Sequence, residues 1–354
     1  MSESVVVVGI GMMTAVGLNA AETSASVRAG TMRFAETELR DKRFEPFTLA
    51  TVPDDGLPPV MDALDGEGLT GRERRLLRLA ALPLRECLAP LAQLGPIPPL
   101  SLCLALPESE TAKPIDRPLF LQRLAMQAGG AIDVQRSDAT HAGRAGGVVA
   151  VGQAILTIQQ EIAEFVVAGG IDSFRDLYVL GTLDAEQRVK SAVNLDGFIP
   201  GEGAAFLLLA SARAAAARGL TPLARVSPAA VGFETGHLYG DDPYRGDGLA
   251  ATFARLAASG ALSPAAGEVY SSMNGENHWA KEWGVGYLRN RGAFLPVYRM
   301  HHPADSFGDT GAACGPLMIG LAALGIRGNY RRSPAVVYGS SDHGQRAALV
   351  VSAT

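Results

Sequence analysis

Phe165-Val-Val-Ala-Gly-Gly-Ile-Asp-Ser173 and, a little further on, Asp196-Gly-Phe-Ile-Pro-Gly-Glu-Gly-Ala204 decide the reading of this chain. Phe165–Ala168 is a short apolar run of the kind found in a strand buried on both faces, and Gly169-Gly170 closes it. The glycine pair predicts a close backbone turn, and Gly201-Glu202-Gly203 a tight loop whose glutamate accepts backbone hydrogen bonds. Ala204–Ala210 continues as a second buried strand and Ser211–Arg218 as an alanine-rich helix. Immediately upstream, Val148, Val149, Val151, Ile155 and Ile158 recur at helical spacing across Gly146–Glu164. Strand, helix, strand and helix in this order read as an α/β protein.

The same alternation extends outward. Val5–Ile10 is a β-branched strand ending near glycine, followed by a helical stretch at Ala20–Ala29. Its Gly9-x-Gly11-x-x-Thr14 lacks the third glycine of a dinucleotide-binding fingerprint. Thr70-x-x-Glu73 reads as a capping box ahead of Leu76, Leu77, Leu79, Leu82 and Leu84, in a helix whose regularity Pro83 and Pro90 should limit. Strands are predicted at Leu100–Leu106 and Ile132–Arg136, separated by a charged loop over Pro107–Pro118. In the second half, strands are predicted near Arg225–Phe233, Glu268–Ser272, Ala335–Tyr338 and Arg346–Val351. Helices are predicted over Gly248–Ala258 and Thr310–Ala323, and an exposed loop over Gly236–Gly248.

Composition bounds the function classes. The 354 residues carry 31 basic and 36 acidic side chains, net −5, with 47% hydrophobic and 19% charged residues. That balance excludes disordered, collagen-like and coiled-coil classes and suggests two lobes. Nothing resembles the dense cationic face that a nucleic-acid binder needs. Cys87, Cys103 and Cys314 are far apart and form neither a disulfide framework nor a zinc motif, so they read as reduced, buried thiols. No helical His pairing with a carboxylate indicates a metal among the six histidines. The first lysine or arginine is Arg28, unlike a signal peptide, and no apolar run is of membrane-spanning length, so a cytoplasmic home is expected, with no membrane and no nucleic acid as partner.

Three segments together resemble the β-ketoacyl-acyl-carrier-protein synthase family of the thiolase-like superfamily. They are Val5–Gly17, the pair of segments quoted at the outset (a strand ending in a glycine pair, then DGF-x-x-GEGA), and Gly308-Asp-Thr-Gly-Ala-Ala-Cys-Gly315. The resemblance implies two pseudo-duplicated βαβαβαββ halves, about Met1–Arg218 and Gly219–Thr354, in a five-layer αβαβα core. It also implies a homodimer with Ile132–Arg136 near the shared sheet edge, and no cofactor. Acyl-carrier-protein or coenzyme A thioesters are the implied partners.

The family's chemistry uses a cysteine at a helix N-terminus and two histidines, one supported by a lysine, and here the matching positions differ. At Ser137-Asp-Ala-Thr-His-Ala-Gly-Arg-Ala-Gly146 the nucleophile position falls on Ala142 or on Arg144, depending on where a two-residue gap is placed. The first histidine position falls near Ser271 or Ser272, with His278 several residues late; Asp309 stands near the second; the lysine is missing, with Asp305 nearby. Gly339-Ser-Ser-Asp-His-Gly344 stands where the family has Gly-Phe-Gly-Gly. Asp309, His343, His278, Glu276 and Ser341 are therefore the candidate catalytic residues, and His141, Ala142, Arg144 and Asn274 the candidate substrate-binding ones. Glu276 or Asp309 beside a histidine would form an acid/base pair. Ser340 or Ser341 would be a nucleophile activated by His343, and His301-His302 would orient Asp309. Two functions follow: a non-condensing partner that binds an acyl chain, a carrier protein or an active ketosynthase, as a chain-length factor does, or an acyltransferase or decarboxylase acting on acyl thioesters without a cysteine.

Overall fold

The structure, a computed structural model, describes residues 3–66, 68–109 and 114–354. In chain order the first half runs β1 (Val5–Thr14), α1 (Ala20–Arg28), β2 (Ala35–Arg40), β3 (Pro46–Leu49), α2 (Gly71–Ala92), β4 (Ser101–Ala105), α3 (Arg117–Gln127), β5 (Asp138–Thr140), α4 (Gly143–Gln159), β6 (Phe165–Ser173), α5 (Leu177–Ala185), β7 (Glu202–Ser211) and α6 (Ala212–Ala217). The second runs β8 (Ala224–Val226), β9 (Ala230–Phe233), α7 (Asp247–Ala258), β10 (Ala266–Ser271), α8 (Asn277–Arg289), β11 (Phe294–His301), α9 (Ala304–Phe307), α10 (Cys314–Arg327), β12 (Ala335–Ser340) and β13 (Gln345–Ser352).

Strand pairing repeats itself. β4 lies parallel to β5 and β6, and β7 runs antiparallel to β6 and β1. Likewise β10 lies parallel to β11 and β12, and β13 runs antiparallel to β12 and β9. β8 pairs with both β1 and β13 and joins the two sets edge to edge. Each strand alternates its side chains between two different cores, as the period of two requires. From β1, Val5 and Val7 enter a central core with Leu207 and Leu209 of β7, the buried faces of α4 and α10, and Val337 and Leu349 of β12 and β13. Val6 and Val8 face an outer core with α2 and α3. Val336, Tyr338 and Val350 face the opposite outer core with α7 and α8. The layers are therefore helix, sheet, helix, sheet, helix.

Glycines set the spacing of these layers. The Gly9 and Gly11 pair lies inside β1 directly under α2: a Cβ would stand 2.1 Å from the Cys87 carbonyl oxygen at Gly9 and 1.8 Å from that of Pro83 at Gly11. They serve helix packing, so they are no phosphate-binding turn. Under that contact α2 stays helical through Pro83 and Pro90, against the sequence expectation, because buried Pro83, Leu84 and Cys87 hold it on the sheet. Its capping box forms as expected, with Thr70 accepting from Glu73 N and Glu73 accepting from Thr70 N. Gly169-Gly170 likewise makes no turn: β6 continues to Ser173, and the missing Cβ of Gly170 admits the Ala312 carbonyl, 2.2 Å from where it would be.

Two further expectations need correction. Ile132–Arg136 is not the edge strand; Ile132 makes one bridge to Leu100 and Val134–Arg136 form a 3-10 turn, capped by the Asp133 side chain accepting from Gln135 N. The edge strand is β5, which begins two residues after Arg136. Part of the Pro107–Pro118 loop lies outside the described residues, and α3 already begins at Arg117. The strand expected over Arg225–Phe233 is broken into β8 and β9 around Pro228.

α4 and α10 also meet at glycines. A Cβ on Gly147 would stand 2.2 Å from Pro316 Cδ and 2.8 Å from the Ala312 carbonyl oxygen, and one on Gly315 2.7 Å from Val148 N. Gly147→Val should therefore destabilise the protein by about 3 kcal/mol, the upper range for overpacking a rigid core. Urea unfolding should show the midpoint falling at unchanged slope.

Candidate functional site

The crossing of α4 and α10 brings their N-terminal ends to one place. α4 starts at Gly143, whose φ of +52° is the left-handed conformation glycine tolerates. A Cβ there would lie 2.6 Å from Glu108 Oε2 and 3.2 Å from Ser341 Oγ. No side chain at the N-cap position, Ala142, caps this helix. Ser341, from the turn between β12 and β13, does so instead: its Oγ accepts from Ala145 N (2.9 Å) and donates to the Ala142 carbonyl (2.5 Å). Ser341 is fully buried and engaged as a cap.

Arg144, the next residue, points into the space between the helices. Its Nε donates to Asp309 Oδ2 (2.6 Å) and its Nη1 to Asp342 Oδ1 (2.5 Å). Arg188 reaches the same carboxylate from the loop after α5, donating to Asp342 Oδ2 (2.6 Å) and, through Nε and Nη2, to both oxygens of Glu276 at 2.8 Å. Asn274 Nδ2 bridges Glu276 (3.1 Å) and Asp309 (2.8 Å), Trp279 Nε1 donates to Glu276 (2.9 Å), and Gly311 N donates to Asp309 Oδ1 (2.9 Å). The Phe198 ring lies under both guanidiniums, 5.6 Å from Arg144 and 5.4 Å from Arg188. Side-chain exposure of the five charged groups ranges from 2% at Asp309 to 9% at Glu276, so they are almost dry.

The structure thus assembles Arg144, Asn274, Glu276 and Asp309 as the sequence led us to expect, and adds Arg188 and Asp342. The assembled groups are locked. Burial acts to raise the Asp342 carboxyl, but Arg144 and Arg188 outweigh it and hold it well below the usual carboxylate range. Burial acts to lower Arg144, and Asp309 and Asp342 outweigh that and keep it charged. The cavity beside Asp309, lined by Ser271, Ser272 and Cys314, measures only about 10 Å³, room for about one water.

The other candidates stand apart from this cluster. His141 is fixed by two carbonyl oxygens, Pro107 at 2.6 Å from Nδ1 and Ile115 at 2.9 Å from Nε2. His343 faces Glu108 at 3.1 Å and stacks on Tyr239 at 4.7 Å, so it pairs with a carboxylate rather than activating Ser340 or Ser341. His278 packs against Tyr244 and Trp279, each at 4.7 Å, and burial and Arg346 lower its pKa. His301 and His302 do not orient Asp309: they bond Glu268 and Ser271. Cys87 lies in α2 and Cys103 in β4, buried, and Cys314 opens α10, half-buried. Burial pushes all three thiols up, Cys103 to about 12, the opposite of an activated nucleophile. No group of three or more His, Cys, Asp or Glu among the described residues could hold a metal.

Sequence reasoning missed Arg188 and Asp342. Asp342 sits inside the quoted Gly339–Gly344 segment, beside the two serines that drew attention; Arg188 carries no local signal at all. It also missed a cleft of about 700 Å³ at the N-terminus of α2, lined by Leu119, Leu177 and Tyr178 together with Arg72, Arg75 and Arg175. Arg75 is tied to Asp54 and to both oxygens of Glu202, which opens β7 instead of lying in the expected tight loop and accepts, as expected, a backbone amide, Val52 N, together with Ser173 Oγ. Arg72 is held only loosely, 3.7 Å from Asp172, and its buried Nε has no hydrogen-bond partner. Asp172 itself is pushed up to about 6 by burial, against the pull of Arg72.

No family profile and no curated protein matches the sequence. Solved structures do match. A chain of the AntDE:AntF assembly, described as a type II polyketide synthase acyl-carrier protein in complex with its ketosynthase, aligns over 100% of both chains at 16% identity and TM-score 0.80. The ishigamide ketosynthase/chain length factor aligns over 100% of both at 17% and 0.81. A ketosynthase domain of the oxazolomycin system of Streptomyces albus JA3453 aligns over 99% of this chain and 75% of its own at 15% and 0.80. The chain has the thiolase-like fold of ketosynthases.

Arg144→Met should leave Asp309 without a cation and Asp342 with Arg188 alone, and cost about 3–5 kcal/mol at pH 7. A carboxyl whose folded pKa is depressed contributes its stability above the ordinary aspartate value of about 3.9 and loses it as pH falls through the folded value. Wild-type stability from Asp342 should therefore fall below about pH 4, and the gap between wild type and Arg144→Met should narrow there. Urea unfolding at neutral and acid pH measures both.

Proposed function

Starting from a ketosynthase fold, we propose that this protein is a non-condensing member of that architecture that binds an acyl chain or carrier protein, partnering an active ketosynthase as a chain-length factor does. The observation that carries the reading is Arg144. At the head of α4, where the resemblance puts the nucleophilic thiol at Ala142 or Arg144, one position is a methyl group and the other a guanidinium closed between Asp309 and Asp342. Charge-assisted bonds to two carboxylates hold it there, and the neighbouring cavity admits about one water. An acyl transfer needs a nucleophile within reach of a base and of a substrate carbonyl. Here Ser341 is a cap, His343 faces Glu108, and the thiols are raised by burial.

Two further points support binding. The structural neighbours include an assembly described as an acyl-carrier protein with its ketosynthase and one described as a ketosynthase/chain length factor. The 700 Å³ cleft combines apolar side chains with arginines, chemistry that suits an acyl chain bearing a polar or anionic head. Arg72, with its unused Nε, is the residue best placed to receive that head.

The test is incubation with a panel of acyl-carrier-protein and acyl-coenzyme A thioesters, with and without an active ketosynthase, read by intact mass, product analysis and binding. Saturable binding without an acyl adduct or turnover is the expected result, and Arg72→Gln should weaken it about tenfold, as expected for one lost charge-assisted hydrogen bond. A covalent acyl adduct, or turnover that collapses in Asp309→Asn, would replace this reading with the acyltransferase or decarboxylase one.

A further inference from the structure

A second cleft, of about 260 Å³, lies between the C-terminal end of α1, the end of β11 and the segment after α10. Its walls include Arg28, Tyr270, His301, His302, Tyr330 and Arg331. None of these belongs to the Arg144 network, and the proposed acyl-binding function does not use them.

The cleft has a built floor. Glu268 of β10, wholly buried, accepts from His301 Nε2 at 2.5 Å and from Arg332 N at 3.2 Å, so its charge is already engaged. The His301 ring stacks on Tyr270 with centroids 4.4 Å apart. His302 is fixed through Nδ1 to Ser271 Oγ at 2.9 Å. His301 Nδ1 and His302 Nε2 have no hydrogen-bond partner among the described residues. At one side stands the Tyr330 ring, its hydroxyl paired with Ser24 at 2.9 Å, with the Arg28 guanidinium 4.8 Å and the Arg331 guanidinium 5.6 Å from its centroid. Neither guanidinium has a carboxylate within ion-pair distance among the described residues, unlike Arg144 and Arg188. Asp305 is the one acidic residue among the described residues that line the cleft, with Glu268 beneath it already engaged.

Two unneutralised guanidiniums at a concavity concentrate anions, and their planar donor forks match an oxyanion. The volume is just below the range of about 300–1,000 Å³ that holds larger ligands, which suits a compact molecule. We propose that this cleft binds a small phosphorylated or carboxylated molecule, with its oxyanion held by the Arg28 and Arg331 guanidiniums and the body of the ligand against the Tyr270, His301 and Tyr330 rings.

The experiment is calorimetric titration of the intact protein with inorganic phosphate and, separately, with malonate, at constant ionic strength. Saturable one-to-one binding of either probe is expected. Phosphate alone would identify a phosphate ester as the ligand class, and malonate alone a carboxylate. Arg28→Ala and Arg331→Ala should each weaken binding about tenfold, and Asp305→Asn should strengthen it. Arg28 is exposed, so its variant keeps the fold, and thermal melts confirm this. If Arg28 and Arg331 served only to stack on Tyr330, the melts would shift and the titrations would not. No saturable binding of either probe, or binding unchanged in both arginine variants, would overturn the proposal, and neither result bears on carrier-protein binding.

Discussion

For two sheets to share one layer of helices, the two helices in that layer must bury most of their surface and still pass each other. α4 and α10 do this by meeting backbone to backbone at Gly147 and Gly315, with Gly170 of β6 opening room for the Ala312 carbonyl. Any side chain at these points would force the helices apart and with them both sheets. The close crossing also decides where the helix heads go: Arg144 starts one, and Asp309 precedes the other, so an arginine and a carboxylate far apart in sequence arrive 2.6 Å apart in a dry interior. The glycines of the sequence thereby determine the chemistry of the centre.

Burying three carboxylates and two guanidiniums is costly unless each is fully partnered. Here they are. Asp309 receives from Arg144, Asn274 and a backbone amide; Asp342 from both arginines; Glu276 from Arg188, Asn274 and Trp279. Such a network rigidifies and selects one arrangement of α4, α10, β12 and the loop before α8. It has the opposite needs of a catalytic site, where at least one group must be available to exchange a proton and a substrate must have room. That contrast separates the Arg144 cluster from the two clefts, where Arg72 is held only loosely by Asp172 and Arg28 and Arg331 have no carboxylate within ion-pair distance among the described residues.

Much of the fold was legible locally. Runs such as Val5–Ile10 and Ala204–Ala210 can be read as strands buried on both faces because their β-branched and aliphatic residues do not alternate with polar ones. The Thr70 and Glu73 capping box formed because its two partners lie within one turn. Errors came where a local rule met a remote constraint. Pro83 and Pro90 did not break α2, because β1 holds it; Gly169-Gly170 did not turn the chain, because the glycines admit the head of α10. Asp133 diverted Ile132–Arg136 into a turn that periodicity alone could not exclude.

By itself the sequence determined the α/β alternation, the doubly buried strands and the absence of a thiol at the head of α4. Only the tertiary structure decided what those residues do. Arg144 reads from sequence as a substrate-binding cation, and it becomes a structural one because Asp309 and Asp342, 165 and 198 positions away, neutralise it. Arg188, invisible locally, completes the pair from 154 positions before Asp342. Whether a charged side chain is available or spent depends on its neighbours in space, and for a buried charge those neighbours come from distant parts of the chain.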